Sequence, residues 1–379
     1  MTEPGSPVRG RLRLADLFLP AGAIALLVLM LGVILANAGD TLGYDYTCYQ
    51  GAARHLLDGK PIYDTAFSIS VGTCPETYTY PPVFAVALIP WLIFGGAAAG
   101  AWCIAMAVCF LAGVALLPVR RDIRWLVVIL AALDWPFIYA VKLGQVEPIL
   151  FLGFAAAWRW MDRPAVVGLV TAVGGLVKIQ PAILGGWALF TRRYRAVAVA
   201  AVVALAAASA ATLVTGFGVW ATYVDLVRGL SGNFSTAHNS APGAVAHLAG
   251  APDWLAEAIQ LASEAVAIAA LLAAWRWATP EASLMVTVIA SQLLSSPLRD
   301  HYAVLLLLPV AWLVSRGLTW TAIIPILGWL YAFGSVPALL MPATATIPIT
   351  FFAVLGLVLF EAYRERREVR RGPVAAPET

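Results

Sequence analysis

Long apolar runs separated by short polar turns make up most of this chain. A helix of about 20 apolar residues spans a bilayer, and this rule predicts about twelve membrane-spanning helices. They lie near residues 15–36, 98–118, 123–141, 146–161, 164–177, 179–191, 196–216, 256–275, 281–296, 302–315, 318–340 and 345–363. We expect the shortest of these helices to tilt or to stop short of one membrane face. The pattern predicts an all-α polytopic membrane protein.

The composition agrees with this class. The chain has 379 residues, of which 61% are hydrophobic and 12% charged, whereas soluble domains contain about 45–50% apolar and 25% charged residues. A water-soluble globule is therefore excluded. The formal net charge of +3 is small and indicates no nucleic-acid partner, because such proteins carry strongly basic patches. We treat residues 1–379 as one membrane domain whose surroundings are lipid.

The positions of the arginines predict the orientation of the helices. Three arginines precede the first apolar run, so the positive-inside rule places the N-terminus in the cytoplasm and makes this run an uncleaved anchor. The short run 81–94 is predicted to be an interfacial or re-entrant helix, because a full crossing would put the next arginines outside. The predicted layout has a cytoplasmic N-terminus at 1–14, outer loops at 37–97 and 217–255, and a cytoplasmic tail at 364–379.

Polar side chains collect in the outer segments, whereas the inner loops are short and basic. All four histidines of the chain lie on the outer side in this topology. We therefore expect an active site on the outer face, formed by the first outer loop and the outer ends of later helices. The polar outer segments are Asp40–Lys60, Lys142–Glu147, Lys178–Gln180, Tyr223–Asp253 and Ser295–His301.

Asp45 lies in the first of these segments and is a candidate catalytic residue. Tyr49, Ala52 and Leu56 follow it at helical spacing, and the Gly59-Lys60-Pro61 sequence ends the pattern. This predicts a short amphipathic helix at the membrane interface. Asp45 is interpreted either as the helix N-cap or as a carboxylate that acts as a general base, and one residue can do both.

Three further positions carry two interpretations each. Lys178 interrupts a long apolar stretch, and it either extends its amine to the interface or binds a phosphate as a point charge. Gln145 and Glu147 precede a proline at the first turn of a helix, where they form either a solvated turn or part of the site.

The segment Arg299-Asp300-His301 joins two predicted helices. It either supplies positive charge to a phosphate and orients a base, or forms an ion pair in a wet loop. Asp134 and Glu264 lie inside predicted helices, where ionisable groups usually face the interior of the bundle. Their roles, and that of Glu257, are left open between helix packing and a polar cavity.

The four cysteines do not form a zinc motif, because no pair has the usual short spacing. We expect no metal site. Cys48 and Cys74 both lie in the first outer loop, where an oxidising environment permits a disulfide, and two free thiols are the alternative. The chain also has no glycine-rich phosphate loop, no Asp-x-Asp motif and no serine nucleophile elbow.

Six motifs, in order along the chain, resemble those of glycosyltransferase family 87. They are Asp45–Tyr63, Tyr80-Pro81-Pro82-Val83-Phe84, Gly144-Gln145, Lys178-Ile179-Gln180-Pro181, His238-Asn239-Ser240 and Ser296–Tyr302. The resemblance covers most of the chain. It implies the GT-C fold, found in membrane glycosyltransferases of actinobacteria, and a plasma-membrane location with the active site on the periplasmic side.

The resemblance also implies a reaction. A polyprenyl-phosphate sugar would be the donor, with mannose favoured, a glycolipid or glycan the acceptor, and the transfer would invert the anomeric carbon without a cofactor. Asp45 would be the general base and His301 the later catalytic residue, while Lys178 and Arg299 would bind the donor phosphate. The substrate-binding residues would be Tyr49, Tyr80, Gln145, Glu147, Gln180, His238 and Asn239. The sequence departs from the family pattern at Leu298-Arg299-Asp300, which leaves the roles of Arg299 and Asp300 open.

Two alternatives remain at this point. An arabinofuranosyltransferase of the same family would share all of these motifs. A lipid-sugar flippase or transporter would also be polytopic, but transporters tend to contain internal repeats, and the sequence shows no convincing repeat.

Overall fold

The computed structural model describes residues 15–63, 78–231, 234, 238–295 and 297–371. Every regular element in these residues is helical, which confirms the all-α prediction. The α-helices are α1 (Ala15–Ala36), α2 (Tyr44–Leu57), α3 (Pro82–Leu88), α4 (Ala98–Leu116), α5 (Arg121–Ala132), α6 (Trp135–Leu143), α7 (Glu147–Arg159), α8 (Pro164–Val177), α9 (Ile183–Phe190), α10 (Tyr194–Thr215), α11 (Gly218–Ser231), α12 (Pro242–Leu248), α13 (Asp253–Trp277), α14 (Pro280–Leu293), α15 (Leu307–Ser315), α16 (Trp329–Ala332) and α17 (Leu340–Arg371).

Within the described part of the chain, five helical stretches are long and apolar enough to cross a membrane, and a bent pair of helices raises this number to six. The chain is therefore a membrane protein by length and composition. The predicted total of about twelve spans and the GT-C fold stay predictions. The five stretches are Phe18–Ala36, Pro82–Leu116, Tyr194–Thr215, Asp253–Trp277 and Pro337–Glu368.

The predicted span 123–141 is broken in the structure. Helices α5 and α6 meet at an angle of 68°, and Asp134 lies between them in an extended conformation. Pro136 occupies the first turn of α6, a position where proline is favoured because its missing N–H needs no helical partner. The Asp-Trp-Pro sequence was a signal for this break.

The predicted span 318–340 is also wrong as a single helix. The structure replaces it with a succession of short helical pieces, two of which begin at prolines that cannot continue a preceding helix. Trp329 in this region donates a 2.6 Å hydrogen bond from its indole nitrogen to the carbonyl of Leu133, which holds the succession against α6. The pieces are Thr319–Ile323, Pro325–Gly328, Trp329–Ala332, Phe333–Ser335 and Pro337–Leu339.

The stretch from Pro82 to Leu116 contains a break at Gly95. Its 35 residues would extend about 52 Å as one straight α-helix, well beyond a hydrocarbon core of about 30 Å. A 3-10 helix, Ile89–Ala97, separates α3 from α4, and Gly95 adopts a positive φ of 52° inside it. Helix α3 packs against α2. The break is compatible with the predicted re-entrant helix, which stays a prediction.

Two apolar cores support these helices. The larger core joins α1, α4 to α10 and α12 to α17, and the smaller core includes residues of α2, α3 and α4. In the smaller core, Tyr46 of α2 stacks on Trp102 of α4 with 5.4 Å between ring centroids, and Tyr49 packs edge-on against Phe84 at 5.2 Å. The short helix after Asp45 is thus confirmed, and its aromatic face fixes it on the bundle.

Candidate functional site

A pair of glycines joins the N-terminus of α2 to the turn between α6 and α7. The amide of Gly43 donates to the carbonyl of Lys142 at 2.8 Å, and the indole of Trp102 donates to the carbonyl of Gly144 at 2.7 Å. Gly43 and Gly144 have φ values of 66° and 73°, which favour glycine. A Cβ on Gly144 would also lie 2.9 Å from the Cβ of Tyr46. We call this contact the glycine junction.

The glycine junction brings Asp45 next to Gln145. The side-chain nitrogen of Gln145 donates to Asp45 Oδ2 at 2.6 Å, while its oxygen lies 2.9 Å from the hydroxyl of Tyr80 and 3.2 Å from that of Tyr49. Tyr49 also donates to Tyr80 at 2.8 Å. A hydroxyl has one proton to donate, so the chain of hydrogen bonds runs from Tyr49 through Tyr80 and Gln145 to Asp45. This network fixes the orientation of the carboxylate.

Asp45 is not the N-cap of its helix. Gly43 occupies the N-cap, and Asp45 lies in the first turn of α2, so that interpretation is wrong. Burial raises the pKa of Asp45 to about 6, while the hydrogen bond from Gln145 and the positive charge of Arg299 oppose this rise. A carboxylate with a pKa near the working pH is suited to accept a proton.

A buried cluster of charged side chains lies beside this network. Lys178 Nζ contacts Glu147 Oε1 at 2.5 Å, and His301 Nε2 lies 3.8 Å from the same oxygen. The side chain of Glu147 is fully buried, and those of Lys178 and His301 are 9% and 8% exposed. The ammonium of Lys178 also lies 3.7 Å from the centre of the Tyr302 ring. Lys178 therefore does not extend to the interface, and Glu147 does not lie in a solvated turn.

Arg299, Asp300 and His238 lie near one another within the site. Arg299 lies within electrostatic range of both Asp45 and Asp300. Asp300 is 1% exposed, and its Oδ1 lies 3.4 Å from Nδ1 of His301. His238 adopts a positive φ of 58°, and its Nδ1 lies 3.3 Å from the hydroxyl of Tyr331.

Gln180 and Asn239 have local structural contacts in addition to any contact with substrate. Gln180 donates to the hydroxyl of Ser295 at 2.7 Å, which links the ends of α8 and α14. The side-chain oxygen of Asn239 accepts from the amide of Ala241 at 3.0 Å. Gln180 lies between α8 and α9, and Asn239 lies in the segment before α12, within the loop 217–255 where the sequence analysis placed it.

The structure brings most of the predicted residues into one region. Hydrogen bonds connect Asp45, Tyr49, Tyr80 and Gln145, and charge interactions add the other members of the set. These are Glu147, Lys178, Arg299 and His301. Sequence analysis missed Tyr302 and Tyr331 as contacts, and the position of Tyr302 directly after His301 was the available signal.

The structure describes one cysteine of the predicted disulfide. Cys48 is disulfide-bonded, and Cys74 lies outside the described residues, so their pairing stays a prediction.

The polar residues of α13 differ in their contacts. Glu257 is exposed. Gln260 donates to Glu264 at 2.7 Å and accepts from the amide of Gly243 at 3.1 Å. Gln260 and Glu264 thus stabilise the packing of α13 on α12. No group of three or more metal-binding side chains occurs in the described ranges.

The sequence that forms this site is similar to known proteins. The model of glycosyltransferase family 87 matches residues 78–297, which is more than half of the chain. The chain belongs to glycosyltransferase family 87. Gln145, Glu147 and Lys178 lie inside the matched range of family 87, while Asp45 precedes it and His301 follows it. The roles of these last two residues therefore depend on the geometry of the site.

Two curated proteins are similar to this family 87 chain over most of their length. A polyprenol-phosphate-mannose-dependent α-(1-2)-phosphatidylinositol pentamannoside mannosyltransferase of Mycolicibacterium smegmatis is 28% identical over 347 residues, which cover 86% of this chain and 82% of that protein. The protein of the same name from Mycobacterium tuberculosis is 27% identical over 333 residues, covering 81% of this chain and 75% of that protein. No solved structure gives a significant match.

Proposed function

We propose that this family 87 glycosyltransferase transfers mannose from a polyprenyl-phosphate-mannose donor to a glycolipid acceptor of the phosphatidylinositol mannoside type. The observation that carries the proposal is the hydrogen bond from Gln145 that holds the carboxylate of Asp45 in place. The relatives of this chain are named for this donor and this class of lipid. The reaction takes place on the periplasmic face of a bacterial plasma membrane, with both termini in the cytoplasm.

Asp45 is the general base of the proposed reaction. Its ionised carboxylate removes the proton from an acceptor hydroxyl, and the hydroxyl oxygen then attacks the anomeric carbon of the donor. The bond between that carbon and the phosphate oxygen breaks, polyprenyl phosphate leaves, and the anomeric configuration inverts. General-base catalysis of this kind contributes about 10²–10⁴-fold to a rate. Gln145 is a positioning residue, because it acts through Asp45.

The leaving phosphate needs positive charge as the bond breaks. Arg299 and Lys178 are the cations of the site, and Lys178 binds the phosphate as a point charge. Glu147 balances Lys178 within the protein, so the buried ammonium is paired before the donor binds, and His301 completes this cluster. Tyr49, Tyr80, Gln180, His238 and Asn239 are the proposed substrate contacts.

A reconstituted transfer assay tests the proposal. The purified protein in liposomes receives either polyprenyl-phosphomannose or polyprenyl-phosphoarabinofuranose, with purified phosphatidylinositol mannosides as acceptors. We expect one added hexose in the mass spectrum of the glycolipid, with an NMR anomeric signal opposite to that of the donor. An added pentose would instead identify an arabinofuranosyltransferase, and movement of the lipid-linked sugar across the liposome without transfer would identify a flippase.

Side-specific labelling tests the orientation separately. The Lys60→Cys variant carries its thiol on the predicted outer side, and the Arg195→Cys variant carries it on the predicted inner side; both side chains are exposed. We expect a membrane-impermeant maleimide to label the first variant in intact spheroplasts and the second only after permeabilisation. The reverse result would move the site to the cytoplasmic face.

A further inference from the structure

One face of α6 is left partly open by the surrounding protein. Trp135, Tyr139 and Lys142 recur at intervals of four and three residues, and all three are half-buried. Residues at these intervals share one face of a helix. The other residues of α6 are buried, namely Pro136, Phe137, Ile138, Ala140, Val141 and Leu143. This open face is next to the turn that carries Gln145.

The open face carries a group of packed aromatic rings. The rings of Trp135 and Tyr139 stack with 5.3 Å between centroids and only 14° between their planes. Trp329 adds a third ring, 5.3 Å from that of Trp135 and tilted by 51° to it, and its indole nitrogen is fixed by the hydrogen bond to Leu133. Lys142 lies at the edge, 5.7 Å from the centre of the Tyr139 ring. We call Trp135, Tyr139 and Trp329 the aromatic platform.

The aromatic platform lies near two acids of the site. Tyr139 is within electrostatic range of Asp300, Asp45 and Arg299, and α6 packs against the helical turn that begins at Asp300. The carbonyl of Lys142 holds Gly43 at the start of α2. A ligand that covers Tyr139 is therefore close to the general base.

Asp300 has a carboxylate oxygen that lacks a protein donor. Its Oδ2 is buried without a hydrogen-bond partner among the described residues, and the residue is 1% exposed. A buried oxygen without a partner is destabilising, and buried polar groups normally have a partner. A hydroxyl group of a ligand could donate the missing hydrogen bond to this oxygen.

We propose that the aromatic platform and Asp300 form the subsite for the acceptor sugar, an inference that rests on the proposed function. A pyranose has an apolar face of C–H groups, which packs on flat aromatic rings, and a rim of hydroxyls, which donate to carboxylates. A sugar that packs on the open side of these rings would offer its hydroxyls to Asp300 and Asp45, because both carboxylates are within electrostatic range of Tyr139. A donor phosphate fits less well here, because Asp300 would repel its negative charge.

Matched substitutions at Tyr139 and Trp135 test the subsite. Tyr139→Phe and Trp135→Phe keep a ring for stacking, whereas Tyr139→Leu and Trp135→Leu remove it while keeping apolar volume. With polyprenyl-phosphomannose and phosphatidylinositol mannosides as substrates, we expect each Leu variant to raise the acceptor KM about tenfold, since a change of about 1.4 kcal/mol is tenfold in affinity. The donor KM stays at its wild-type value, and the Phe variants stay within about threefold.

Controls separate this inference from a general loss of structure. Trp254→Leu removes an aromatic ring that is 70% exposed on α13, and it should leave both KM values unchanged. Asp300→Asn should raise the acceptor KM as the Leu variants do. Unchanged acceptor KM values in the Leu variants, or a rise in the donor KM instead, would overturn the subsite while the proposed function stands.

Direct binding keeps the subsite testable if the wild-type protein transfers no mannose and the proposed function fails. Titration of phosphatidylinositol mannosides into the detergent-solubilised protein, without donor, should show weaker binding to Tyr139→Leu than to Tyr139→Phe. Equal binding to the two variants would refute the subsite. A thermal unfolding curve for each variant, compared with wild type, identifies any variant that fails to fold.

Discussion

The side-chain amide of Gln145 donates a 2.6 Å hydrogen bond to the carboxylate of Asp45, which lies 100 positions earlier in the chain. The same amide accepts from Tyr80, so it cannot rotate without losing bonds at both ends. The proposed base thus lies on a short helix outside the candidate spans, but its orientation is set from the turn between α6 and α7.

Replacement of Asp45 by asparagine should reduce mannose transfer by about 10²–10⁴-fold, because asparagine cannot accept the proton of the acceptor hydroxyl. Asparagine is nearly the same size and keeps an oxygen for the bond from Gln145, so the fold should persist. Initial rates with polyprenyl-phosphomannose measure the effect. Asp58→Asn is the matched control, because Asp58 follows the same helix and pairs with the exposed Lys60. Equal rates for both variants would contradict the role of Asp45.

The rate should depend on pH through the ionisation of Asp45. Below a pH of about 6, the raised pKa of Asp45 leaves the carboxyl protonated and unable to act as a base. We therefore expect kcat/KM to rise with pH through about 6 and then to reach a plateau. A pH series of initial rates at low acceptor concentration measures this limb.

Gln145→Leu should move the rising part of the pH profile of kcat/KM, called the limb here, to higher pH. The hydrogen bond from Gln145 favours the ionised carboxylate and lowers the pKa of Asp45, so its removal raises the pKa further. Tyr49→Phe, which removes only the outermost hydroxyl of the network, should move the limb much less. If the limb stays at the wild-type pH in Gln145→Leu, Gln145 does not act through Asp45.

Substitutions of Lys178 and Glu147 should have strongly non-additive effects on the stability of the protein. Removing one partner of a buried ion pair leaves an unpaired charge and costs about 3–5 kcal/mol, so Lys178→Met and Glu147→Leu should each lower the unfolding midpoint markedly. The double variant should recover most of this loss, because it buries no charge. Thermal unfolding in detergent measures all four proteins. Additive losses in the double variant would show that the two residues do not depend on each other.

Recovery of stability in the double variant should not restore activity. Lys178 is proposed to contact the donor phosphate, and methionine supplies no positive charge, so transfer should stay low while the unfolding midpoint returns. Wild-type rates in the double variant would remove Lys178 from the phosphate site.

The disulfide of Cys48 should link it to Cys74. Peptide mapping of the non-reduced protein by mass spectrometry should find these two cysteines in one cross-linked species that disappears on reduction. Cys103 and Cys109 are free in the structure and should react with a thiol reagent after denaturation without reduction. A cross-link from Cys48 to any other cysteine would refute the pairing.

The helices were predictable where one apolar run forms one helix. The predicted run 15–36 is α1 itself, and 164–177 is α8. The predictions failed at 123–141 and 318–340 because hydropathy does not distinguish a continuous helix from two pieces in the same apolar surroundings. Prolines mark those breaks in the sequence, but the 68° bend depends on packing between helices.

The site was predictable as a set of residues but not as an arrangement. The motifs identified Asp45, Gln145 and Lys178, yet the pairing of Lys178 with Glu147 depends on how α7 and α8 approach each other. The aromatic platform was missed because Trp135 and Trp329 lie almost 200 positions apart and belong to no motif. Only the fold brings their rings together.

The glycine junction makes the segment 37–63 a part of the membrane domain and not an exchangeable module. A chimeric enzyme that received residues 37–63 from another family member would keep its proposed base in register only if the incoming loop also matched the turn at Gly144. A change at either glycine would therefore require a matching change in the other segment, since the two segments dock through backbone atoms with no space for a larger side chain.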